Sequence, residues 1–173
     1  YGRKFGPDPA SIKSAMVGGI VMNNASGMSC GTWANSDRMI ISGRIIFADG
    51  TVLDTADQSS REAFKASHPE FISSIEALRD EVLADKELTD RIRHKYSIKN
   101  VTGLNILPLI TFTDPFDIIL HLLVGSEGTL AFLSEVTMKT LEIAPLQADA
   151  MVYFKDMAEA ARAVIAMKSL NVS

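Results

Sequence analysis

The spacing of hydrophobic residues changes several times along the chain, and each spacing predicts a different element. Apolar residues alternate over 38–54 on both sides of Asp49-Gly50, which predicts a β-hairpin closed by a type I′ turn with positive φ at both central residues. Over 59–93 the apolar residues recur at helical spacing between charged ones, which predicts two or three surface helices. Residues 96–113 contain glycine and proline and are predicted to form a loop.

Glycine residues mark two further predicted helices. Small residues over 18–24 predict a short buried helix that a neighbouring backbone or a cofactor can approach closely. The dipeptide Asp114-Pro115 has the N-cap and N1 arrangement that begins a helix, and Gly125 is expected to end that helix. Farther along, 130–141 and 150–154 are predicted strands, and 156–170 is a predicted helix with small and apolar residues on one face. The pattern as a whole predicts an α+β fold.

The composition narrows the class of protein. With 173 residues, 47% hydrophobic residues and a net charge of −4, the chain can bury one sizeable core. No basic stripe is interleaved with aromatic residues, so we expect no nucleic-acid partner, and no apolar run is long enough to predict a transmembrane segment. The single cysteine, Cys30, excludes an internal disulfide framework and cannot ligate an iron–sulfur cluster by itself. We expect it to be a small buried residue in a glycine-rich turn.

Two glycine-rich segments are the candidates for ligand binding. In Gly125-Ser126-Glu127-Gly128 the two glycines favour a tight turn after an apolar run. Because glycine has no Cβ, a flat ligand can lie against the bare backbone there. The alternative is an ordinary helix-to-strand turn with a glycine C-cap. The second segment, 18–27, begins with a glycine pair and ends in Asn-Asn-Ala-Ser-Gly, and it follows Gly-Pro-Asp-Pro at 6–9.

These motifs, in this order along the chain, resemble those of a known family. The chain is similar to the second half of the FAD-binding domain of the vanillyl-alcohol-oxidase, or PCMH-type, flavoproteins, in the D-lactate, glycolate and D-2-hydroxyglutarate dehydrogenase branch. It looks most like the long bacterial enzymes that fuse this flavin module to an iron–sulfur domain. The resemblance rests on 6–9, 18–32, 45–52, 99–103, 114–122 and 125–130. Leu104 and Ala131 depart from the family, which commonly has tyrosine and glycine there.

The resemblance implies a mainly antiparallel sheet flanked by helices, with FAD as cofactor and a hydride transfer from a 2-hydroxy acid to the flavin. D-Lactate, glycolate and D-2-hydroxyglutarate are the implied substrates, and a quinone or a redox protein is the implied electron acceptor. An iron–sulfur cluster is implied only for other parts of a full-length protein, which we expect in the cytoplasm or peripherally at the inner membrane. The residues that the resemblance assigns to cofactor binding are Pro7, Asp8, Ser11, Gly18, Gly19, Asn23, Asn24, Ser26, Gly27, Gly31, Thr32, Glu127, Gly128 and Val136.

The resemblance also implies a domain organisation. Residues 1–144 are expected to be the second subdomain of the FAD-binding domain, and 145–173 the beginning of a cap or substrate domain. The chain is therefore expected to be a fragment that is inactive by itself, because the catalytic base and the metal-binding histidines of such enzymes lie in later regions. No catalytic residue and no metal ligand is assigned within this chain.

Two single residues allow more than one interpretation. His121 lies in an apolar run without a second histidine or cysteine at ligand spacing, so a hydrogen-bonded core histidine is favoured over a base or metal ligand. Glu127 can cap the end of a neighbouring element or accept a hydrogen bond from the cofactor region, and the sequence favours neither.

Two other function classes remain open at this point. One keeps the flavin fold but assigns another alcohol or a sugar as substrate. The other is a non-enzymatic α+β interaction module in which the glycines only make turns. Visible absorbance in the flavin bands separates the flavoproteins from the interaction module.

Overall fold

The computed structural model describes residues 2–146, 148, 150–167 and 170 of the chain. These residues belong to two compact units: a larger one over 4–141, and a smaller one made from 1–3 and 142–173. Every predicted cofactor-binding residue lies in the larger unit. The assignment of 1–144 to a flavin subdomain and of 145–173 to a cap domain stays a prediction.

Thirteen elements are found in the described residues, and they confirm the α+β fold. In chain order they are β1 (Arg3–Phe5), α1 (Val17–Asn23), α2 (Ser36–Met39), β2 (Ile40–Ile46), β3 (Val52–Asp54), α3 (Gln58–Ser67), α4 (Pro69–Ala84), α5 (Lys86–Lys95), α6 (Pro108–Thr111), α7 (Pro115–Leu122), β4 (Phe132–Met138), β5 (Thr140–Glu142) and α8 (Met157–Met167). No helix among these is both long and apolar enough to cross a membrane.

A three-stranded antiparallel sheet lies at the centre of the larger unit, with the strand order β3-β2-β4. Ile45 of β2 lies opposite Leu53 of β3 and Leu133 of β4, and all three side chains are buried. Gly43 of β2 lets α7 approach this sheet closely, because a Cβ there would lie 2.8 Å from Cδ1 of Leu133 and 3.1 Å from Cδ1 of Leu120. The main core therefore joins α1, α3, α4 and α7 to one sheet.

The prediction of two or three surface helices is confirmed by α3, α4 and α5, and local sequence explains their ends. Asp57 caps α3 by accepting a hydrogen bond from the amide of Ser59 at 2.9 Å, and Asp85 caps α5 in the same way through Leu88 at 2.9 Å. Pro69 stands in the first turn of α4, where its missing N–H costs nothing. These caps place the helix boundaries close to the predicted ones.

The predicted hairpin is confirmed as β2 and β3, but its predicted turn type is wrong. A type I′ turn needs positive φ at both Asp49 and Gly50. Gly50 has φ of +84°, but Asp49 is not among the non-glycine residues with positive φ in the described part of the chain. Phe47 donates to Thr51 and accepts from Gly50, both at 2.9 Å, which makes a three-residue loop ending in a left-handed glycine. Asp49 accepts instead from the amide of Thr51 at 2.8 Å.

Three other predictions need correction. Residues 150–154 are not a strand, and no ladder partner is present for them in the part of the chain that the structure describes. Residues 38 and 39, predicted as the start of the hairpin, belong to α2, and the predicted loop 96–113 contains α6, which begins at Pro108. A proline at the first helical position begins a helix as readily as it interrupts one. The predicted helix at 156–170 is α8, and residues 168 and 169 lie outside the described residues.

Candidate functional site

Two loops lie backbone against backbone at one edge of the larger unit. Asp8 forms an isolated parallel bridge with Gly27, and the amide of Asp8 donates to the carbonyl of Ser26 at 3.0 Å. Gly27 has φ of +71°, and a Cβ there would lie 1.7 Å from the carbonyl oxygen of Asp8, so only glycine fits. Ser29 fixes the Asp8 carboxylate with a 2.8 Å hydrogen bond, while Pro7 is fully buried beneath the loop.

The first turn of α1 exposes bare backbone. Gly18 is half-buried, and a Cβ there would lie 3.6 Å from the carbonyl of Leu133, which is ordinary contact. Gly19 is exposed, and a Cβ there would meet nothing within 4 Å. A glycine inside a helix costs up to about 1 kcal/mol relative to alanine, and the packing of this chain does not require either one. Ser11 is also exposed, in the turned segment before α1, and its carbonyl accepts from Ala15 at 2.8 Å.

The C-terminal end of α1 meets the second glycine-rich segment. Asn24 ends the helix in the left-handed conformation, with φ of +53°. Glu127 has φ of +55°, its amide donates to the carbonyl of Met22 at 2.9 Å, and its Oε1 accepts from Nδ2 of Asn23 at 2.6 Å. The backbone amide of Glu127 thus caps the end of α1, while its carboxylate holds the side chain of Asn23.

The turn between α7 and β4 has two left-handed glycines with different surroundings. Gly125 is buried with φ of +88°, and a Cβ there would lie 3.0 Å from the carbonyl of Gly103. Gly128 is exposed with φ of +76°, and nothing lies within 4 Å of the position of a Cβ. Thr129 closes the turn by donating from its hydroxyl to the carbonyl of Ser126 at 2.6 Å. This turn thus presents open backbone at Gly128 beside the end of α1.

The remaining predicted residues lie around these segments. Gly31 is half-buried with φ of +56°, and a Cβ there would lie 3.0 Å from ring atoms of Trp33. Thr32 is exposed. Val136 is half-buried on β4, opposite Gly43 of β2. We use the term glycine rim below for residues 7–8, 18–27 and 125–128, which the contacts above hold together; Ser11, Gly31, Thr32 and Val136 lie outside the rim as defined.

Two buried polar atoms of the rim have no hydrogen-bond partner. Asn24 and Ser126 are each 2% exposed, and neither Oδ1 of Asn24 nor Oγ of Ser126 has a partner in the structure. A Cβ at Gly125 would lie 3.8 Å from Cβ of Asn24, so the two segments meet here. Buried polar atoms are nearly always satisfied, because an unsatisfied one costs about 1–3 kcal/mol. The rim therefore offers an acceptor, a hydroxyl and bare glycine backbone to a polar, flat ligand.

Three contributors to the rim were not predicted as site residues. Gly125 and Ser126 lie in the glycine-rich turn that is a candidate for ligand binding, but neither belongs to the predicted set of cofactor-binding residues. Lys99 donates a hydrogen bond from its ammonium to the carbonyl of Gly27, and no local pattern in the sequence predicts that contact. The Lys-Asn-Val-Thr-Gly run at 99–103 was the one available signal, as part of the family resemblance.

Cys30 lies behind the Gly27 loop and is buried, as predicted. Its thiol donates to the carbonyl of Ser26, and its sulfur lies 3.1 Å from Oδ1 of Asn35. The thiol therefore supports the loop from the inside and is not exposed to reagents or ligands.

His121 is a buried, hydrogen-bonded core residue, as predicted. Its Nδ1 lies 2.8 Å from the carbonyl oxygen of Asp117, and its ring packs on Phe112 with the centroids 4.2 Å apart. Burial lowers the pKa of His121, and burial also raises the pKa of nearby Asp37, whose Oδ1 has no partner. Both residues line a small, partly open cavity of about 20 Å³, also lined by Asn105. Within the described residues, no group of three or more His, Cys, Asp or Glu side chains can hold a metal ion.

Comparison with known proteins identifies the family of this region. Residues 1–56 match the family described as FAD binding domain, and this match confirms the predicted family and its cofactor, FAD. The match covers residues 1–56 of the 173 in the chain. The matched residues include the Asp8–Gly27 pair, α1 and the β2–β3 hairpin, while the turn at 125–128 lies outside them.

A curated relative adds a more specific similarity. The chain is 24% identical over 155 residues to the D-2-hydroxyglutarate dehydrogenase of Haemophilus influenzae. That alignment covers 83% of this chain and 14% of the relative, so the chain spans a small part of the length of the protein that it matches. No solved structure matches the chain at a significant level.

The chemistry of the rim fits FAD. The cofactor has a flat ring system and a polar ribityl–pyrophosphate chain, which suit exposed glycine backbone next to amide and hydroxyl groups. The unpartnered atoms of Asn24 and Ser126 lie where the two glycine-rich segments meet, inside the larger unit. The residues of this chain that would hold the cofactor are therefore those of the rim.

Proposed function

We propose that the protein carrying this chain is an FAD-dependent oxidoreductase that oxidises a 2-hydroxy acid, namely D-lactate, glycolate or D-2-hydroxyglutarate. The match of residues 1–56 to an FAD binding domain supports the oxidoreductase class, and the similarity to a D-2-hydroxyglutarate dehydrogenase supports the substrate class. When bound, FAD supplies the acceptor for the hydride that leaves the α-carbon of the substrate.

The observation that carries the proposal is the glycine rim with its two unpartnered polar atoms. Gly18 and Gly19 leave the first turn of α1 bare, and no contact in the described part of the chain requires glycine there. Asn24 and Ser126 are buried without partners. A cofactor that lies against this backbone and bonds these atoms accounts for both features, whereas an interaction module that uses glycine only for turns accounts for neither.

The residues of this chain serve to bind and orient the cofactor in this proposal. Backbone groups of the Asp8–Gly27 pair and of α1 contact the flavin dinucleotide, Asn24 contacts it from the end of α1, and Glu127 and Gly128 contact it from the turn at 125–128. Ser11, Gly31, Thr32 and Val136 complete the proposed binding set. The base, the substrate-binding cations and the contacts to an electron acceptor such as a quinone are proposed to come from outside residues 1–144.

The experiment uses the full-length gene product. Purified protein is expected to show the flavin absorbance bands, and anaerobic mixing with one of the three acids is expected to bleach them. L-Lactate and L-2-hydroxyglutarate serve as matched controls that differ only in configuration. Bleaching by a sugar or another alcohol alone would refute the substrate class, and colourless protein that takes up no added FAD would refute the flavoprotein assignment.

A further inference from the structure

The loop that follows α5 contacts both halves of the glycine rim. Lys99 donates from its ammonium to the carbonyl of Gly27, in the first half. The carbonyl of Gly103 lies 3.0 Å from where a Cβ of Gly125 would be, in the second half. Residues 99–103 therefore connect two segments that are about a hundred residues apart in the chain.

The Gly27 loop needs such support because little apolar packing holds it. The side chain of Met28 is 98% exposed, and Ser29 is exposed as well. Gly27 itself has no side chain and adopts a φ of +71°. The loop is therefore held by hydrogen bonds, and a charged donor makes the stronger kind of hydrogen bond.

The carbonyl that Lys99 holds belongs to the residue that pairs with Asp8. A peptide unit is planar and trans, so fixing the carbonyl of Gly27 also fixes the direction of the following N–H group. The ammonium thus sets the plane of the Gly27–Met28 peptide, while the bridge to Asp8 sets the position of Gly27. Together they define the backbone surface of the first half of the rim.

We propose that Lys99 is a positioning residue of the FAD site, which acts through the Gly27 carbonyl rather than by touching the cofactor. This inference rests on the proposed binding of FAD to the glycine rim. It assigns to an exposed lysine, far from the matched residues 1–56, the task of preorganising the loop against which the cofactor lies. Preorganisation strengthens binding because no binding free energy is then lost in ordering the loop.

The test compares three variants of the full-length protein. Lys99→Met keeps the length of the side chain and removes the donor, Lys99→Arg keeps a charged donor, and Lys65→Met removes an exposed lysine from α3 as the control. Loss of one charge-assisted hydrogen bond at an exposed position predicts FAD affinity about tenfold weaker for Lys99→Met. Lys99→Arg and Lys65→Met are expected to bind FAD within about threefold of the wild-type protein.

Two further measurements separate positioning from other roles. In the apo-protein, amide hydrogen exchange at 27–29 is expected to accelerate in Lys99→Met while the melting temperature stays within about 2 °C of wild type. The dissociation constant of FAD from Lys99→Met, divided by that from the wild-type protein, is expected to be the same at low and high salt. A ratio that falls toward one with salt would instead place the lysine charge on a cofactor phosphate and overturn the positioning role.

The outcomes also separate this inference from the proposed function. If the wild-type protein binds no FAD, the proposed function fails. If it binds FAD and Lys99→Met binds it equally well, or if Lys99→Met only lowers the melting temperature without changing exchange at 27–29, the inference alone fails. Should Lys99→Met not fold, Lys99→Ala carries the same comparison, because alanine also removes the donor.

Discussion

Gly43 and Gly19 show two different reasons for a glycine in one fold. Gly43 is explained by the chain itself, because a Cβ there would crowd side chains of β4 and α7, which would have to shift. Gly19 has open space around it and a helical backbone, so nothing within the chain requires it. A glycine that neither its contacts nor its φ explains is a candidate for contact with a ligand. By this test the positive φ of Gly50 explains that glycine, whereas Gly18 has no such explanation.

A second comparison concerns buried polar atoms without partners. Asn24 and Ser126 lie at the glycine rim, where an added ligand can satisfy them. Ser36 and Asp37 lie elsewhere, and Asp37 lines the small cavity beside His121. That cavity has room for about one water molecule and none for a cofactor. In the proposed function the first pair binds the cofactor, whereas Asp37 belongs to the interior.

The largest expected effect is that of Gly27→Ala. Its Cβ would lie 1.7 Å from the carbonyl of Asp8, so the loop must move, and we expect a loss of about 3–4 kcal/mol of stability together with loss of bound FAD. Gly103→Ala is the matched control, because Gly103 has nearly the same φ, +72°, with nothing within 4 Å. It should lose only about 1–2 kcal/mol from backbone strain. Equal losses in urea unfolding would contradict the close approach.

The next effect in size is that of Gly19→Val on FAD retention. The side chain fills space outside the chain, where we place the cofactor, so the purified full-length protein should lose its flavin while remaining soluble. Stability of the apo-protein should change by less than about 0.5 kcal/mol, since valine is no worse in a helix than glycine. Flavin absorbance per protein measures the effect, and full occupancy in this variant would show that the cofactor does not approach α1.

Gly50→Val is expected to act on the fold alone. A β-branched residue at a φ of +84° is strained whatever the free space, so the variant should lose about 1–3 kcal/mol of stability. Its FAD affinity, measured on the folded fraction, should match that of wild type because the hairpin turn is not part of the rim. An unchanged melting temperature would contradict the left-handed assignment of Gly50.

The hairpin also shows how far the sequence alone could go. The alternation of apolar residues predicted the paired strands, because a strand buried on one face has apolar residues at every second position. The turn type was mistaken, since Asp-Gly fits both a two-residue turn and a three-residue loop, and the choice depends on how Phe47 and Thr51 pair. The strand predicted over 150–154 fails for a related reason: alternation carries no information on whether a partner strand is present.

The candidate site was predictable in its glycine segments and not in its cross-chain contacts. The two segments stand out because glycine pairs are rare within apolar runs. The hydrogen bonds from Asn23 to Glu127 and from Lys99 to Gly27 join residues far apart in the chain, and no periodicity relates them. The family resemblance supplied the order of the motifs, but only the fold shows which of them touch.

The smallest expected effect concerns Asp37 and sharpens the distinction between the two kinds of unpartnered atom. Burial raises the pKa of Asp37, so folding favours its protonated form, and its contribution to stability is present below its unfolded pKa of 3.8 and is lost as pH rises through the folded value. The nearby ion-pair partner Arg38, 3.6 Å away, offsets part of this cost. Asp37→Asn removes the ionisation and should stabilise the apo-protein at pH 7 by up to about 1 kcal/mol.

The pH dependence provides the control within the same variant. Below pH 3.8 the wild-type carboxyl is already protonated, so the gain from Asp37→Asn should vanish there. His121 acts in the opposite direction in both proteins: burial lowers its pKa, so stability is lost as pH falls below its unfolded value of 6.5. FAD affinity should be unaffected, whereas Asn24→Ala, which removes an unpartnered atom of the rim, should weaken it. If Asp37→Asn instead weakens FAD binding as much as Asn24→Ala does, the interior cavity and the rim belong to one site, and the distinction between them is wrong.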